Sequence, residues 1–426
     1  MESLNIFIIS AVFRPEPVIS ANTSGDLTAE LVSRGHSVTV LAPFPSRPSG
    51  VRHEGYARTW VRTEQMVDGA RVVRCLSLFS RRSTMPSRWL ENLSFGITSG
   101  FALLTAEFDV VYSNTWPLFA TGIVAMVAQL RRKPLVLSVQ DLYPESLSVQ
   151  GRLRNSSPLF RLLWGLDRWI AQTANAIVLP ARSLARYYQS DRGLDAEKVH
   201  VVPNWSNLEI DGLGLASADF RKSAGIPPNK FLFVFAGNVG VAAGAEQVVC
   251  AFQGLQGQCE IGLLIAGEGS RLVACQEGAA TLPAGRVWFH HPFPATETST
   301  VLGCADAFVL PTSGRQSLAS IPSKLITYML SGKPVVAIDD NDSEVSAIIH
   351  ESGCGVLVNP GSPEELCGVL RAVSELSRER LAAMGDAGRR YARRKFTKDA
   401  CAPVLGDIVE KAGNSFVREA HGPGNG

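Results

Sequence analysis

Short apolar runs, four to seven residues long, alternate along this chain with stretches whose apolar residues fall at helical spacing. Leu4–Ser10 reads as a buried strand. A proline-containing loop follows (Phe13 to Pro17), and Leu27, Leu31 and Val32 then give Thr23–Ser33 a helical face. Gly35 closes that helix, and Ser37–Leu41 is the second strand of a βαβ unit. The same reading predicts strands at Val72–Leu76, Val110–Ser113, Leu135–Val139, Ala176–Leu179 and Val199–Val202. Helices are expected near 90–106, 117–130 and 158–173. After a polar, glycine-rich stretch reaching Leu215 the pattern restarts, with strands at Phe231–Ala236, Ile261–Ala266, Val287–His290, Ala307–Pro311, Val335–Ile338 and up to Val358. Residues 375–412 read as one long charged helical tail, and 422–426 as disordered.

Strand and helix alternation of this kind predicts two α/β domains built on parallel sheets. A length of 426 residues suits two domains of ordinary size. The net charge of +2 is unevenly spread, with 22 Lys plus Arg against 16 Asp plus Glu in residues 1–205. A basic first half suggests an anionic partner, such as a membrane surface. It is too weakly basic to point to nucleic acid. Arg81, Arg82, Arg88 and Trp89, with Arg154, Arg161, Arg168, Trp164 and Trp169, form a basic, aromatic group suited to anionic lipid headgroups. A solvated helix face explains the same residues.

The eight scattered cysteines, without a C-x-x-C, fit reduced thiols better than a zinc site or a disulfide frame. The N-terminus lacks the pattern of a signal peptide, and no apolar stretch reaches the roughly 20 residues of a membrane span. His290 and His291 have no partner at ligand spacing, so no metal site is expected.

The candidate chemistry gathers around Ile321–Ala337. Pro322 suits a helix start, Ser323 can cap, and Gly332 with Pro334 stops the helix. A helix start with free N–H groups and the ammonium of Lys324 suits a phosphate, although Lys324 on a solvated outer face is the plain alternative. Gly237-Asn-Val-Gly240 and Gly267–Arg271 are glycine turns that let a ligand approach the backbone. Asp141 and Glu145 follow a strand and can face a ligand crevice, or Asp141 can simply fold its turn. No dinucleotide or P-loop fingerprint is present.

Over nearly its whole length the chain resembles family 4 glycosyltransferases of the GT-B fold, two Rossmann-like domains facing across a cleft. The resemblance is closest to the bacterial branch that builds O-antigen, capsule and colanic acid, including the N-acetyl-fucosamine transferases. It rests on Arg34-Gly-His-Ser-Val-Thr-Val40, Gln140-Asp-Leu-Tyr-Pro-Glu-Ser146, Val202-Pro-Asn-Trp205, Gly237-Asn-Val-Gly240, Ala305-Asp306, and Pro322-Ser-Lys324 through Ser331-Gly-Lys-Pro-Val-Val336. It implies an acceptor domain at 1–205, a nucleotide-sugar domain at 206–395, and a helical tail at 396–421 that packs back toward the first domain.

The implied reaction is retaining transfer of a sugar, such as an N-acetylated deoxyhexosamine, from a UDP-sugar to a polyprenyl-diphosphate-linked saccharide. It needs no metal or other cofactor and takes place at the inner face of the cytoplasmic membrane. Implied catalytic residues are Asp141 and Lys324. Gly237, Asn238, Gly240, Arg271, Arg315, Ser323, Lys324, Thr327 and Glu344 are implied donor contacts, and Arg14, Asn22 and Glu145 acceptor contacts. The sequence departs from the family where two glutamates are usual, carrying Ala319 and Thr327. Asn238 and Ala243 stand where the family has Arg and Lys. Two rival functions stay open: a UDP-sugar 2-epimerase of the same build, and a non-catalytic nucleotide-sugar-binding assembly protein.

Overall fold

The structure, a computed structural model, describes residues 3–421 except 17, 48–49, 57–58, 67, 79–83, 115–117, 207–213, 256, 258–259 and 313–320. Arg81, Arg82, Arg315, Ala319 and the 422–426 tail therefore lie outside the described residues. The chain divides into two compact units, Met1–Asn204 with Lys398–Gly426, and Trp205–Thr397.

The first unit carries an eight-stranded sheet. Its strands are β1 (Asn5–Ser10), β2 (Ser37–Pro43), β3 (Val61–Gln65), β4 (Arg71–Cys75), β5 (Val110–Asn114), β6 (Leu135–Ser138), β7 (Ala176–Leu179) and β8 (Val199–Val201), in the order 3-4-2-1-5-6-7-8. All neighbours pair parallel except β3, which runs antiparallel along β4. The sequence reading missed β3, because Val61-Arg-Thr-Glu-Gln65 is a largely exposed edge strand with no apolar face to mark it. The first helix, Ile19–Ser33, begins four residues earlier than expected. Its apolar spacing marks the part that packs, whereas Ser20 and Asn22 continue the helix with polar side chains.

The second unit holds β9 (Phe231–Ala236), β10 (Ile261–Ala266), β11 (Val287–His290), β12 (Ala307–Pro311), β13 (Val335–Ile338) and β14 (Gly355–Val358), ordered 11-10-9-12-13-14 and parallel throughout. Phe233, Phe235, Leu263, Ile265, Val309 and Val336 form one core cluster with Val248, Val249 and Phe252 of the helix Ala245–Gly254. Strands buried on both faces read as unbroken apolar runs, which is why these were visible in sequence.

The expected single tail is two helices, Arg378–Lys395 and Lys398–His421. They are separated at Phe396, which is buried and whose carbonyl accepts the Ser206 amide at 3.0 Å. The last helix belongs to the first unit, where its Glu410 accepts from Arg34 at 3.0 Å and pairs with the His36 ring at 2.7 Å. Among the described residues no helix is long and apolar enough to cross a membrane.

Candidate active site

In each unit the strand order reverses beside the first strand of the sheet, between β1 and β5 and between β9 and β12. Outside the carboxyl ends of such strands an open α/β sheet leaves a ligand crevice.

In the second unit that position is occupied by the Gly237–Gly240 turn and the helix Ser323–Ser331. Lys324 does not point into solvent from the outer face of its helix. Its Nζ donates to the Asn238 carbonyl at 3.0 Å and lies 4.0 Å from the centroid of the Phe235 ring. Burial lowers its pKa from 10.5 to about 8. Gly237 makes this crossing possible, since a Cβ there would come within 2.7 Å of Lys324 Cε, and its φ is +123°. The Gly267–Arg271 turn closes on the same backbone. The Val239 amide donates to Glu268 O at 2.8 Å, and the Arg271 amide to Val239 O at 3.0 Å. At Gly267 a Cβ would stand 1.9 Å from the Gly237 carbonyl oxygen.

Behind the turn, the Tyr328 hydroxyl accepts from the Ala236 amide at 2.8 Å and donates to the Ala236 carbonyl at 3.1 Å. Its ring stacks on Phe308 at 4.1 Å. Tyr328 thereby fixes helix Ser323–Ser331 to the end of β9, a role the sequence did not reveal although Lys324 and Tyr328 stand at i and i+4.

The N-cap of this helix is Pro322, with no side-chain cap, so Ser323 does not cap as expected. The Leu325 amide turns back to the Pro322 carbonyl at 2.9 Å, and among the described residues no capping side chain accepts from the Ser323 and Lys324 amides. Ser323 is exposed at the helix start, and Thr327 is half-buried one turn on. The Arg271 side chain pairs with Glu246 at 3.3 Å. Glu344 is buried as the first residue of the helix after β13, whose N-cap is Ser343. The structure thus joins Gly237, Asn238, Gly240, Arg271 and Lys324.

In the first unit the carboxyl ends of β1, β2 and β4 surround a cavity of about 60 Å³ lined by Val12, Arg47, Ser77, Arg88, Glu91 and Asn92, among others. Arg47 donates to Glu91 at 2.8 Å, and its charge and that of Arg152 act on Arg88. Sequence reasoning did not single out Arg47, which lines this cavity. Arg14 pairs with Asp26 at 2.6 Å, and Asn22 is exposed on the first helix.

Asp141 follows β6, where burial raises its carboxyl pKa, and its Oδ1 accepts the Leu142 amide at 2.8 Å. Glu145 does not serve as an open acceptor contact. Its two oxygens accept from Arg192 at 2.9 and 3.0 Å, and one also accepts from Tyr187 at 2.8 Å. Fully buried Arg192 also donates to Asp167 at 2.7 Å and lies over the Trp164 and Tyr187 rings. Trp89 likewise turns inward, donating to the Tyr143 hydroxyl at 3.0 Å. Trp89 and Trp164 are therefore engaged inside the unit and do not form the expected aromatic lipid surface. Among the described residues no three His, Cys, Asp or Glu side chains gather as metal ligands would.

Comparison with known proteins resolves the family. Residues 20–205 match the Glycosyl transferase 4-like domain, and residues 217–391 match Glycosyl transferases group 1. The chain belongs to the GT-B glycosyltransferases. The transferase is 26% identical over 297 residues to WbjE of Pseudomonas aeruginosa, named as a probable glycosyltransferase, covering 68% of this chain and 71% of that one. It is 24% identical over 410 residues to WcaI of Escherichia coli K12, whose name assigns it a glycosyl transferase role in colanic acid biosynthesis, covering 93% and 97%. In fold it is similar to Anabaena Alr3699/HepE, solved in complex with UDP, with a TM-score of 0.68, 14% identity, and coverage of 96% and 100%. In this transferase the glycine turns and Lys324 thus occupy the β9/β12 switch point of its group 1 half. Asp141 and the arginine-lined cavity belong to its other half.

Proposed function

We infer that this glycosyltransferase takes its sugar from a UDP-sugar bound by the Trp205–Thr397 unit. The observation that carries the reading is the Lys324 ammonium held against the Gly237–Asn238 turn at 3.0 Å, beside uncapped helix amides. Such a site offers positive charge from one side chain and from backbone N–H groups, which is what a nucleoside diphosphate requires. The UDP in the HepE complex supports the donor class. The relationship to WcaI supports an acceptor in surface polysaccharide assembly, a saccharide carried on polyprenyl diphosphate at the cytoplasmic face of the membrane.

In the proposed reaction the bond between the sugar's anomeric carbon and the diphosphate oxygen breaks, and its electron pair stays on the departing UDP. The acceptor hydroxyl oxygen forms the new bond on the same face of the sugar, with retention. Its proton passes to the departing diphosphate oxygen. Negative charge on UDP is largest as the bond breaks, so Lys324 and the helix amides stabilise the transition state more than the ground state. Asp141, held by its turn, orients the acceptor hydroxyl. These groups supply the charge compensation, and no metal is assigned to the step.

Calorimetry with UDP tests the site. Lys324→Ala should weaken binding about tenfold, about 1.4 kcal/mol, and EDTA should leave wild-type binding unchanged. Equal affinity in both proteins would move the diphosphate elsewhere, and loss of binding in EDTA would bring a metal into the site.

A further inference from the structure

The helix Met85–Thr105 is built inside out. Its buried face is small and polar: Asn92, Gly96, Ser99 and Gly100, with Phe95 and Leu103. The Asn92 Oδ1 accepts the Ala120 amide at 2.7 Å. A Cβ at Gly96 would reach within 2.7 Å of Ala120 Cα, and one at Gly100 within 2.6 Å of Ile123 Cγ2. Small residues thus bring this helix close against Leu118–Leu130, as in helix pairs that have no water to exclude.

The outer face carries the large apolar residues instead. Leu90, Leu93, Ile97, Phe101 and Leu104 follow at steps of three and four residues, and all are exposed, Phe101 by 71% and Ile97 by 58%. Met126 and Leu130 of the adjoining helix are exposed as well, the latter by 69%. Five large apolar side chains on one stripe exceed the scattered singles that any soluble surface shows.

Cations stand at both ends of the stripe. Arg88, in the helix's first turn, lines the small cavity with Arg47, and Arg152 acts on it electrostatically. At the far end Arg131 donates to the Leu104 carbonyl, and Arg132 is exposed. Glu91 pairs with Arg47 at 2.8 Å and Glu107 with Arg131 at 3.3 Å, so that Arg88 at one end and Arg132 at the other carry the excess positive charge over these carboxylates. A second copy laid on this stripe would bring arginine against arginine in either orientation. An anionic bilayer satisfies both parts, taking the apolar residues at the acyl boundary and the arginines among its phosphates.

We propose that the outer face of helix Met85–Thr105 is a lipid-contacting surface that seats the first unit on an anionic membrane, with the Arg47–Arg88 cavity at its edge. The inference rests on the proposed lipid-linked acceptor for its purpose, and on the helix surface for its support. The helix lies in the interface and does not cross it, because its inner face is committed to the protein.

Flotation with vesicles of phosphatidylcholine and phosphatidylglycerol tests the surface. The full chain should float with the vesicles, and Ile97→Glu/Phe101→Glu should bind about a hundredfold more weakly, since two apolar side chains leave the lipid. Both positions are exposed, so the variant should keep the wild-type melting temperature; Ile97→Ser/Phe101→Ser repeats the test if the charged pair misfolds. Undiminished flotation of the folded variants would overturn the proposal. So would a wild type that ignores the vesicles, or a wild-type dimer that the substitutions convert to a monomer without affecting flotation. UDP calorimetry on the same samples separates the two readings. Lost UDP binding with normal flotation strikes the donor assignment, and normal UDP binding without flotation strikes the surface.

Discussion

The two switch points of this glycosyltransferase are made from different materials. Around β9 the site is backbone: glycines with positive φ, two turns whose amides and carbonyls bond each other, and one lysine drawn across them. Around β1 and β6 the corresponding region is side chains, with Arg47 on Glu91, Arg14 on Asp26, and Arg192 between Glu145 and Asp167. A backbone site tolerates changes of charge nearby but has no room for a Cβ. A side-chain site tolerates small changes of shape but fails when one ion is left without its partner. Asn238, Ala243 and Thr327 therefore stand around a turn whose shape is set by its backbone and by Lys324.

The largest effect should come from Arg192→Leu. The guanidinium is buried with two carboxylates, and burial already raises the Asp167 pKa despite the arginine. Leaving Glu145 and Asp167 uncompensated should cost about 3–5 kcal/mol of stability. UDP affinity should change little wherever the protein remains folded, since none of these residues belongs to the β9 turn. A urea-unfolding loss below about 1 kcal/mol would mean that the network relaxes, and the contrast between the two regions would fail on this side.

On the other side, Gly237→Ala should weaken UDP binding at least tenfold and destabilise the protein by about 1–3 kcal/mol. The added methyl meets Lys324 Cε at 2.7 Å on a residue with φ +123°. Gly35→Ala is the matched control, with φ +88° and no atom within 4 Å of its would-be Cβ. It carries the backbone strain without the clash and should leave UDP binding at the wild-type value. A Gly237→Ala protein that binds UDP as tightly as Gly35→Ala would show that the path of Lys324 does not govern binding at the turn.

These cases also show what was legible in the sequence. Phe231–Ala236, Ala307–Pro311 and Ala176–Leu179 are found with their expected bounds, because strands covered on both faces must be apolar at every position. The helix Arg182–Ser190 went unread, although Leu184 and Tyr188, both buried, stand one turn apart. The glycine turns and Lys324 were identifiable as residue types. That Lys324 reaches back to a residue 86 positions earlier was not, because only the packing of Tyr328 on β9 sets that direction. Glu145 shows the reverse error. Its place after a strand suggested a ligand contact, and the arginine that claims it lies 47 residues on. For the helix expected near 90–106, residue type does not tell that Leu90, Leu93, Ile97, Phe101 and Leu104 face out, since an apolar stripe ordinarily faces the core.

The finest test is the pH dependence of the backbone site, because it depends on one proton. Burial lowers Lys324 to about 8, whereas the unfolded chain keeps it near 10.5. Between those values the unfolded chain binds the extra proton, so stability should rise as pH climbs through this window. UDP affinity should move the other way. A bound diphosphate favours the ammonium and raises its pKa, so binding takes up a proton once the free protein has lost it. From about pH 8 upward affinity should fall by up to tenfold per pH unit, until the pKa of the complex is reached. Calorimetry in buffers of different ionisation enthalpy would count the proton directly. Lys324→Arg should flatten the curve, because a guanidinium stays charged throughout. Opposed slopes of stability and affinity in wild type, both absent in the arginine variant, would tie them to this one ammonium. A wild-type affinity that ignores pH across the window would mean that the helix amides hold the diphosphate without Lys324, leaving the site built from backbone alone.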